Sequence, residues 1–384
     1  MWSNCEKLPQ PSHDSFNIFS DRLNKLLYWI ALNELSHITM LISRNGTVDF
    51  LRFLGLSLII LAHLSPPAWL FQLRNFDVPL MVLVSGLTYS IYPSIYSYKD
   101  YVNKRIKRLV YPAWTFLTIY FIFNMLMANP FDHLTFGKVF HSYTFISGIG
   151  YVWIFRVFLI TALFAPLIER FNALIPSNNH FLLILVSSLF AYEMLFQYNW
   201  KDLLGDKAYI YFEAVILFGI FYILVFSLGT RLSSFTGGQF LFLLSICITS
   251  VFGFAIYFLI NLNTIPPTQQ FKFPPRAYYL SYSLVLCLLC YAASPTIIKF
   301  IYKRFWLKNF VTFVSSNTVW IYFYHIIFIK SHITSHFSNL PASYVFVYAA
   351  SVMCSFMQFA IVNRVLPKIS SSTAQKNIGL MFVG

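Results

Sequence analysis

Residues 48–64 read VDFLRFLGLSLIILAHL, and this stretch decides how the chain is built. Asp49 and Arg52 stand at one end and His63 at the other, with only uncharged residues between Arg52 and His63. The apolar run is continuous. A porin-type strand would instead alternate apolar and polar residues over roughly ten positions. A helix needs about 20 mostly apolar residues to cross roughly 30 Å of hydrocarbon, and residues 50–71 meet that length.

The same pattern repeats outward along the chain. Nine further segments qualify, near 76–97, 110–129, 151–170, 180–198, 208–230, 239–262, 278–301, 310–330 and 342–366. The second is the weakest, because Pro79 and Pro93 interrupt it. Composition agrees. The 384 residues are 58% hydrophobic and 10% charged, against about 25% charged in a soluble domain. The 43 Phe and 25 Tyr suit lipid-facing surfaces and the wet interface respectively. The expected fold is all-α and integral to the membrane, a bundle of about ten transmembrane helices. Residues 46–368 form that domain, and 369–384 a cytoplasmic tail. Residues 1–45 form an N-terminal cytoplasmic or interfacial extension. Residues 1–20 lack the apolar core of a signal peptide, and 21–43 read as an interfacial amphipathic helix.

Lys and Arg set the orientation. The termini and the loops after even-numbered spans hold 18 of the 27, the opposite loops hold 7, and Arg52 and Arg156 lie within spans. This bias puts both termini in the cytoplasm. The formal charge of +14 is therefore topological. With no soluble basic domain to carry it, nucleic-acid binding is excluded as a function. Four of the five Cys lie in apolar runs, and the C-x-x-C of Cys287 and Cys290 reads as packing rather than redox or zinc chemistry. No spacing suggests a metal site.

Ionisable residues inside hydrocarbon are costly, which makes them functional candidates. Eleven helical steps separate His63 from Arg52, or about 16 Å, close to three full turns, so the two side chains share a face and His63 lies near mid-membrane. A buried imidazole can accept a proton near neutral pH. That chemistry suits a base acting on a hydroxyl. In the first cytoplasmic loop, KDYVNKRIKRLVYP, Arg105 and Arg108 sit one helical turn apart. Two guanidinium forks at that spacing can grip phosphate oxygens.

Taken in order, these motifs resemble the membrane-bound acyltransferase 3 family. The first is Arg52, ten residues, then His63; the second is Arg105-x-x-Arg108. FDVPLMVLVSGLTYS, with Ser85 and Gly86, is similar to the family's second span. FKFPPRAYYLSY, with Lys272, Pro274 and Pro275, is similar to an extracytoplasmic loop of many members. NTVWIYFYHIIF, with Tyr322 and His325, resembles a late span. The resemblance runs from about residue 46 to 366. The fourth span departs from it, because YVWIF carries Tyr151 or Val152 where many members have a His, and this leaves the roles of Trp153 and Arg156 open.

The resemblance implies an enzyme of the bacterial cytoplasmic (inner) membrane, acyl-CoA dependent and without a metal. It would move an acyl group, mostly acetyl, from acetyl-CoA to a hydroxyl of an extracytoplasmic or lipid-linked glycan such as a polysaccharide, O-antigen or capsule. His63 would be catalytic. Arg52 would support it or help form the donor site, and Arg105 and Arg108 would contact the CoA phosphates. Asp49, Ser85, Arg156, Tyr322, His325 and Lys272 are supporting candidates. Partners would be the donor, the glycan and membrane lipids. Glu193 or Glu213 could pair with Arg156 or Arg52, and His133 and His141 could touch the acceptor. His332 and His336 read as solvated. The alternative function is a transporter of an anionic or glycan-linked substrate, which buried charges would fit equally well. The internal repeat common in transporters is not visible here.

Overall fold

A computed structural model of the chain describes residues 44–93, 97–126, 133–331, 333–337 and 339–382. Cys5, the expected interfacial helix at 21–43 and His332 lie outside the described residues. The described chain is helical and holds no strand, only an isolated bridge between Lys272 and Pro275. In chain order the helices are α1 (Gly46–Ala62), α2 (Ala68–Leu73), α3 (Asp77–Ile91), α4 (Tyr98–Leu126), α5 (Phe136–Tyr143), α6 (Trp153–Leu174) and α7 (Asn178–Met194). They continue with α8 (Trp200–Tyr211), a π-helical stretch (Phe212–Leu217), α9 (Phe218–Arg231), α10 (Gly237–Leu262), α11 (Ala277–Tyr302), α12 (Phe305–Ser316), α13 (Thr318–Lys330), α14 (Leu340–Val365) and α15 (Ser372–Phe382).

Each of the ten apolar segments contains helix. Among the described residues, six helical stretches are long and apolar enough to cross a membrane, or seven if α12 and α13 count as one broken span. Two expectations change here. Residues 310–330 are not one straight span: the axis turns by 82° between α12 and α13. The turn falls at Asn317, which leaves helical geometry after two serines, residue types whose side chains compete for backbone hydrogen bonds. Pro79 does not interrupt α3. It is the third residue of that helix, where the backbone N–H has no helical partner to lose. The helix ends at Ile91, before Pro93.

α3 is the centre of the bundle. Most of its residues are buried, including Leu80, Val82, Leu83 and Val84. It crosses α9 at very short range because both helices present glycine. A Cβ on Gly86 would lie 2.1 Å from the Phe226 carbonyl oxygen, and one on Gly229 would lie 2.1 Å from that of Leu83. No larger residue allows this backbone approach, a packing mode helices use in membranes. α10, by contrast, buries only Leu243, Cys247 and Phe258, so most of its apolar surface faces outward. The expected tail is itself helical: Phe382 of α15 stacks on Trp320 at 5.9 Å, and its carbonyl accepts from Gln358 at 2.5 Å.

The loop between α10 and α11 is fixed from two sides, and this positions Lys272. Thr268, fully buried, accepts from the amides of Gln72 and Asn75, each at 2.9 Å. On the other side Tyr192 donates to the Pro275 carbonyl at 2.6 Å, and Glu193 binds Arg276 and accepts from the Ala277 backbone N–H at 2.9 Å. Glu193 thereby satisfies a free donor at the start of α11.

Candidate active site

His63 follows the last residue of α1, its backbone N–H held by the Ile60 carbonyl at 3.2 Å. Its Nδ1 lies 3.0 Å from Nε2 of His325 on α13, and the two rings stack at 5.1 Å. His325 is fully buried, and its Nδ1 bonds the backbone carbonyl of Tyr322. A carbonyl only accepts. His325 therefore carries its proton on Nδ1 and offers the Nε2 lone pair. His63 must then donate from Nδ1, which leaves its own Nε2 as a free lone pair. The chain of bonds fixes a base-competent tautomer of His63. The Tyr151 ring meets His63 edge-on at 4.9 Å, and Tyr322 donates to the Tyr151 carbonyl at 2.7 Å, closing this wall of the site.

His63 lines a cavity of about 210 Å³ with Arg74, Asp77, Trp153, Gln269, Lys272 and Tyr322, among others. Asp77, in the first turn of α3, accepts from Arg74 at 2.6 Å, from Lys272 at 3.3 Å and from the Val78 backbone N–H at 2.8 Å. All three charged side chains are almost completely buried. Two cations thus face one carboxylate beside the imidazole. Burial pushes the Lys272 ammonium below its ordinary value. Asp77 opposes that shift and Arg74 adds to it. Nε of Arg74 and Oε1 of Gln269 are buried without a hydrogen-bond partner, so the cavity holds an unused donor and an unused acceptor.

Of the residues singled out in the sequence, His63, His325, Tyr322 and Lys272 come together here. Arg52 does not. It donates to Thr88 at 3.0 Å, near the far end of α3. Beside that end, Tyr89 donates to Glu169 at 2.8 Å and packs against Tyr101, whose ring lies 5.3 Å from the Arg105 guanidinium. Arg108 is exposed one turn further along α4. Eleven steps of α3 separate Asp77 from Thr88, about 16 Å, so Arg52 and Arg105 mark the opposite end of this helix from His63. Asp49 is buried and accepts from Ser315 at 2.7 Å. Ser85 donates to the Met81 carbonyl of its own helix at 2.8 Å and lines neither cavity. Arg156 bonds the carbonyls of Phe145 and Ile146 at 3.2 and 2.6 Å and lines a second cavity with Glu213, while Glu193 is taken by Arg276. His133 is exposed, and neither it nor His141 lines either cavity.

Sequence reasoning missed Asp77, Arg74 and Gln269. A usable signal existed for Asp77, an acid at the mouth of an apolar helix in the same chain as a matching Lys and Arg. At an expected span boundary, however, such an acid is also ordinary.

A family model described as an acyltransferase domain matches residues 45–359. The chain belongs to the acyltransferase 3 family and is a multi-pass membrane acyltransferase. No curated protein and no solved structure matched it.

Proposed function

We propose that the protein transfers an acyl group, acetyl in the first instance, from cytoplasmic acyl-CoA to a hydroxyl of an extracytoplasmic or lipid-linked glycan. In this reading about ten spans cross the bacterial inner membrane with both termini in the cytoplasm. The observation that carries it is the bond from His63 Nδ1 to His325, anchored in turn on the Tyr322 carbonyl. That chain leaves Nε2 of His63 as a base beside the cavity it lines.

The reaction follows from those groups. Nε2 takes the proton of the acceptor hydroxyl as its oxygen attacks the thioester carbonyl carbon. The carbonyl electron pair moves onto oxygen, near the Lys272 and Arg74 cations, which favour the developing charge. Collapse breaks the C–S bond, and the thiolate of CoA leaves with the proton that His63 held. His325 keeps the imidazolium oriented throughout. Arg105 and Arg108 at the other end of the bundle are the proposed contacts for the CoA phosphates, with Arg52 beside them. The separation of about 16 Å along α3 is one that an extended pantetheine arm can cross.

Two substitutions test this reading. His63→Ala should abolish acyl transfer to surface glycan, read by NMR of the isolated glycan, with the protein still present in the membrane. Arg105→Ala combined with Arg108→Ala should weaken acyl-CoA binding without impairing insertion. Unchanged glycan acylation in the first variant refutes His63 as the base, and unchanged CoA affinity in the second reduces the arginine pair to a topological role.

A further inference from the structure

A second cavity, of about 270 Å³, adjoins the His63 cavity; Trp153 and Phe273 line both. Nothing in the acyl-transfer chemistry uses it. Three aromatic rings line it together with Ile146, Ile210 and Ala214. Trp153 meets Phe273 edge-on at 5.2 Å and Phe218 at 6.1 Å, and Phe218 meets Phe273 at 6.0 Å. Its charged lining is one cation and one anion, Arg156 and Glu213, with Ser147 as a further polar residue. Arg156 is 8% exposed and stands over Phe218 at 5.1 Å, and one of its guanidinium NH2 nitrogens (Nη1) is bound to two backbone carbonyls. Its Nε is buried with no partner. Glu213 sits in the π-helical stretch Phe212–Leu217, a wound-out turn of a kind often found at functional sites. Ala214 of the same stretch also lines the cavity.

These groups select among ligand classes. An acyl chain or lipid tail would bury Arg156 Nε for good, at about 1–3 kcal/mol for an unsatisfied donor, and would leave Glu213 against hydrocarbon. An anion would satisfy Arg156 but oppose Glu213. A neutral polyhydroxyl ring meets all the requirements. Its C–H face lies on the aromatic rings, one hydroxyl accepts from Arg156, and another donates to Glu213. The cavity is of a size for a single ring.

We propose that this cavity is the seat of the acceptor's sugar ring, held between the Trp153, Phe218 and Phe273 faces by Arg156 and Glu213. The shared Trp153–Phe273 wall would guide one hydroxyl toward Nε2 of His63. This assignment rests on the acyl-transfer reading and gives its acceptor a place.

The test uses the full chain in lipid nanodiscs and saturation-transfer-difference NMR with methyl glycosides of glucose, galactose, rhamnose and N-acetylglucosamine. At least one should take saturation on the protons of one ring face. Glu213→Gln and Arg156→Lys, each first shown by thermal melting to be folded, should weaken its binding about tenfold. His63→Ala should still bind the glycoside while transferring nothing. Absence of saturation on all four glycosides with the unsubstituted protein overturns the assignment, as does wild-type affinity in both variants. Sugar binding that persists when His63→Ala still transfers acyl groups supports the subsite and removes His63 as the base, so the two readings fail separately.

Discussion

Replacing His325 with Phe removes the acceptor that orders His63 while keeping a ring in the buried space. His63 Nδ1–H would lose its 3.0 Å partner, and an unpaired buried donor costs about 1–3 kcal/mol. Expressed in the transition state, that cost lowers the rate about five- to 160-fold. A second loss follows from the tautomer. Without His325 the proton of His63 is free to sit on either nitrogen, and in the form with Nε2 protonated the base is gone. Loss of the orienting partner in serine hydrolases costs about 10⁴ in turnover for this reason. The expected fall in kcat is therefore between about 10² and 10⁴, with KM for acyl-CoA little changed, because the donor phosphates are proposed to bind at the opposite end of α3. His325→Gln, whose side-chain oxygen can accept from His63, should recover part of the loss. The assay is the initial rate of thiol release from acetyl-CoA by nanodisc-embedded protein, normalised to the folded fraction. Turnover within twofold of the unsubstituted protein for His325→Phe, alongside an inactive His63→Ala, would refute the orienting role.

The buried ion cluster makes its own demands. Asp77→Ala leaves Lys272 and Arg74 facing each other without a counter-charge, and breaking a buried ion pair costs about 3–5 kcal/mol. Thermal melting should show a large loss, partly restored by adding Lys272→Met. Burial holds the Lys272 ammonium below its ordinary value. Between the lowered and the ordinary value the unfolded chain binds the extra proton, so stability should rise with pH across that window. Lys272→Met should flatten the rise, measured as melting temperature against pH from neutral to alkaline. Gly229→Ala puts a methyl 2.1 Å from the Leu83 carbonyl oxygen. Overpacking costs about 1–3 kcal/mol even where side chains can yield, and here the obstacle is backbone. Size-exclusion profiles should show loss of the monodisperse protein, with Gly137→Ala, where a Cβ meets nothing within 4 Å, as the neutral control.

How much was legible in the sequence differs by level. The helices were, because continuous apolar runs have few other solutions in lipid. Their breaks were not. The 82° turn at Asn317 and the π-helical stretch around Glu213 depend on which backbone groups find partners from neighbouring helices, and hydropathy carries no trace of that. His63 was legible as a costly polar residue in an apolar run. Its partner was harder to choose, because sequence offers only proximity along the chain, and Arg52 shares its helix. The partner that touches it, His325, lies 262 positions away. Arg156 illustrates the same limit: a carboxylate was the natural expectation, yet its direct bonds go to the carbonyls of Phe145 and Ile146.

The spacing between Arg52 and His63 takes on a different meaning once α3 lies beside α1. Arg52 bonds Thr88, while His63 and Asp77 line one cavity. Eleven steps lead from Arg52 along α1 to His63 just past its end, and eleven lead from Thr88 back along α3 to Asp77. The two helices run antiparallel, and Gly55 packs against Met81 between these pairs. Three turns of helix therefore hold the arginine and the histidine at opposite ends of one helix pair, about 16 Å apart. The two side chains hold different partners, Thr88 for Arg52 and His325 for His63. A residue that assisted the imidazole directly would need to be within hydrogen-bond reach, and that position belongs to His325. The spacing instead fixes the distance between two chemically distinct ends. One is rich in guanidinium groups and tyrosines. The other holds the His63–His325 pair, a buried ion cluster and two adjoining cavities. The proposed transfer, with its donor on one side of the membrane and its acceptor on the other, needs such a spacer, and a single residue inserted between Arg52 and His63 would turn the imidazole about 100° off Asp77.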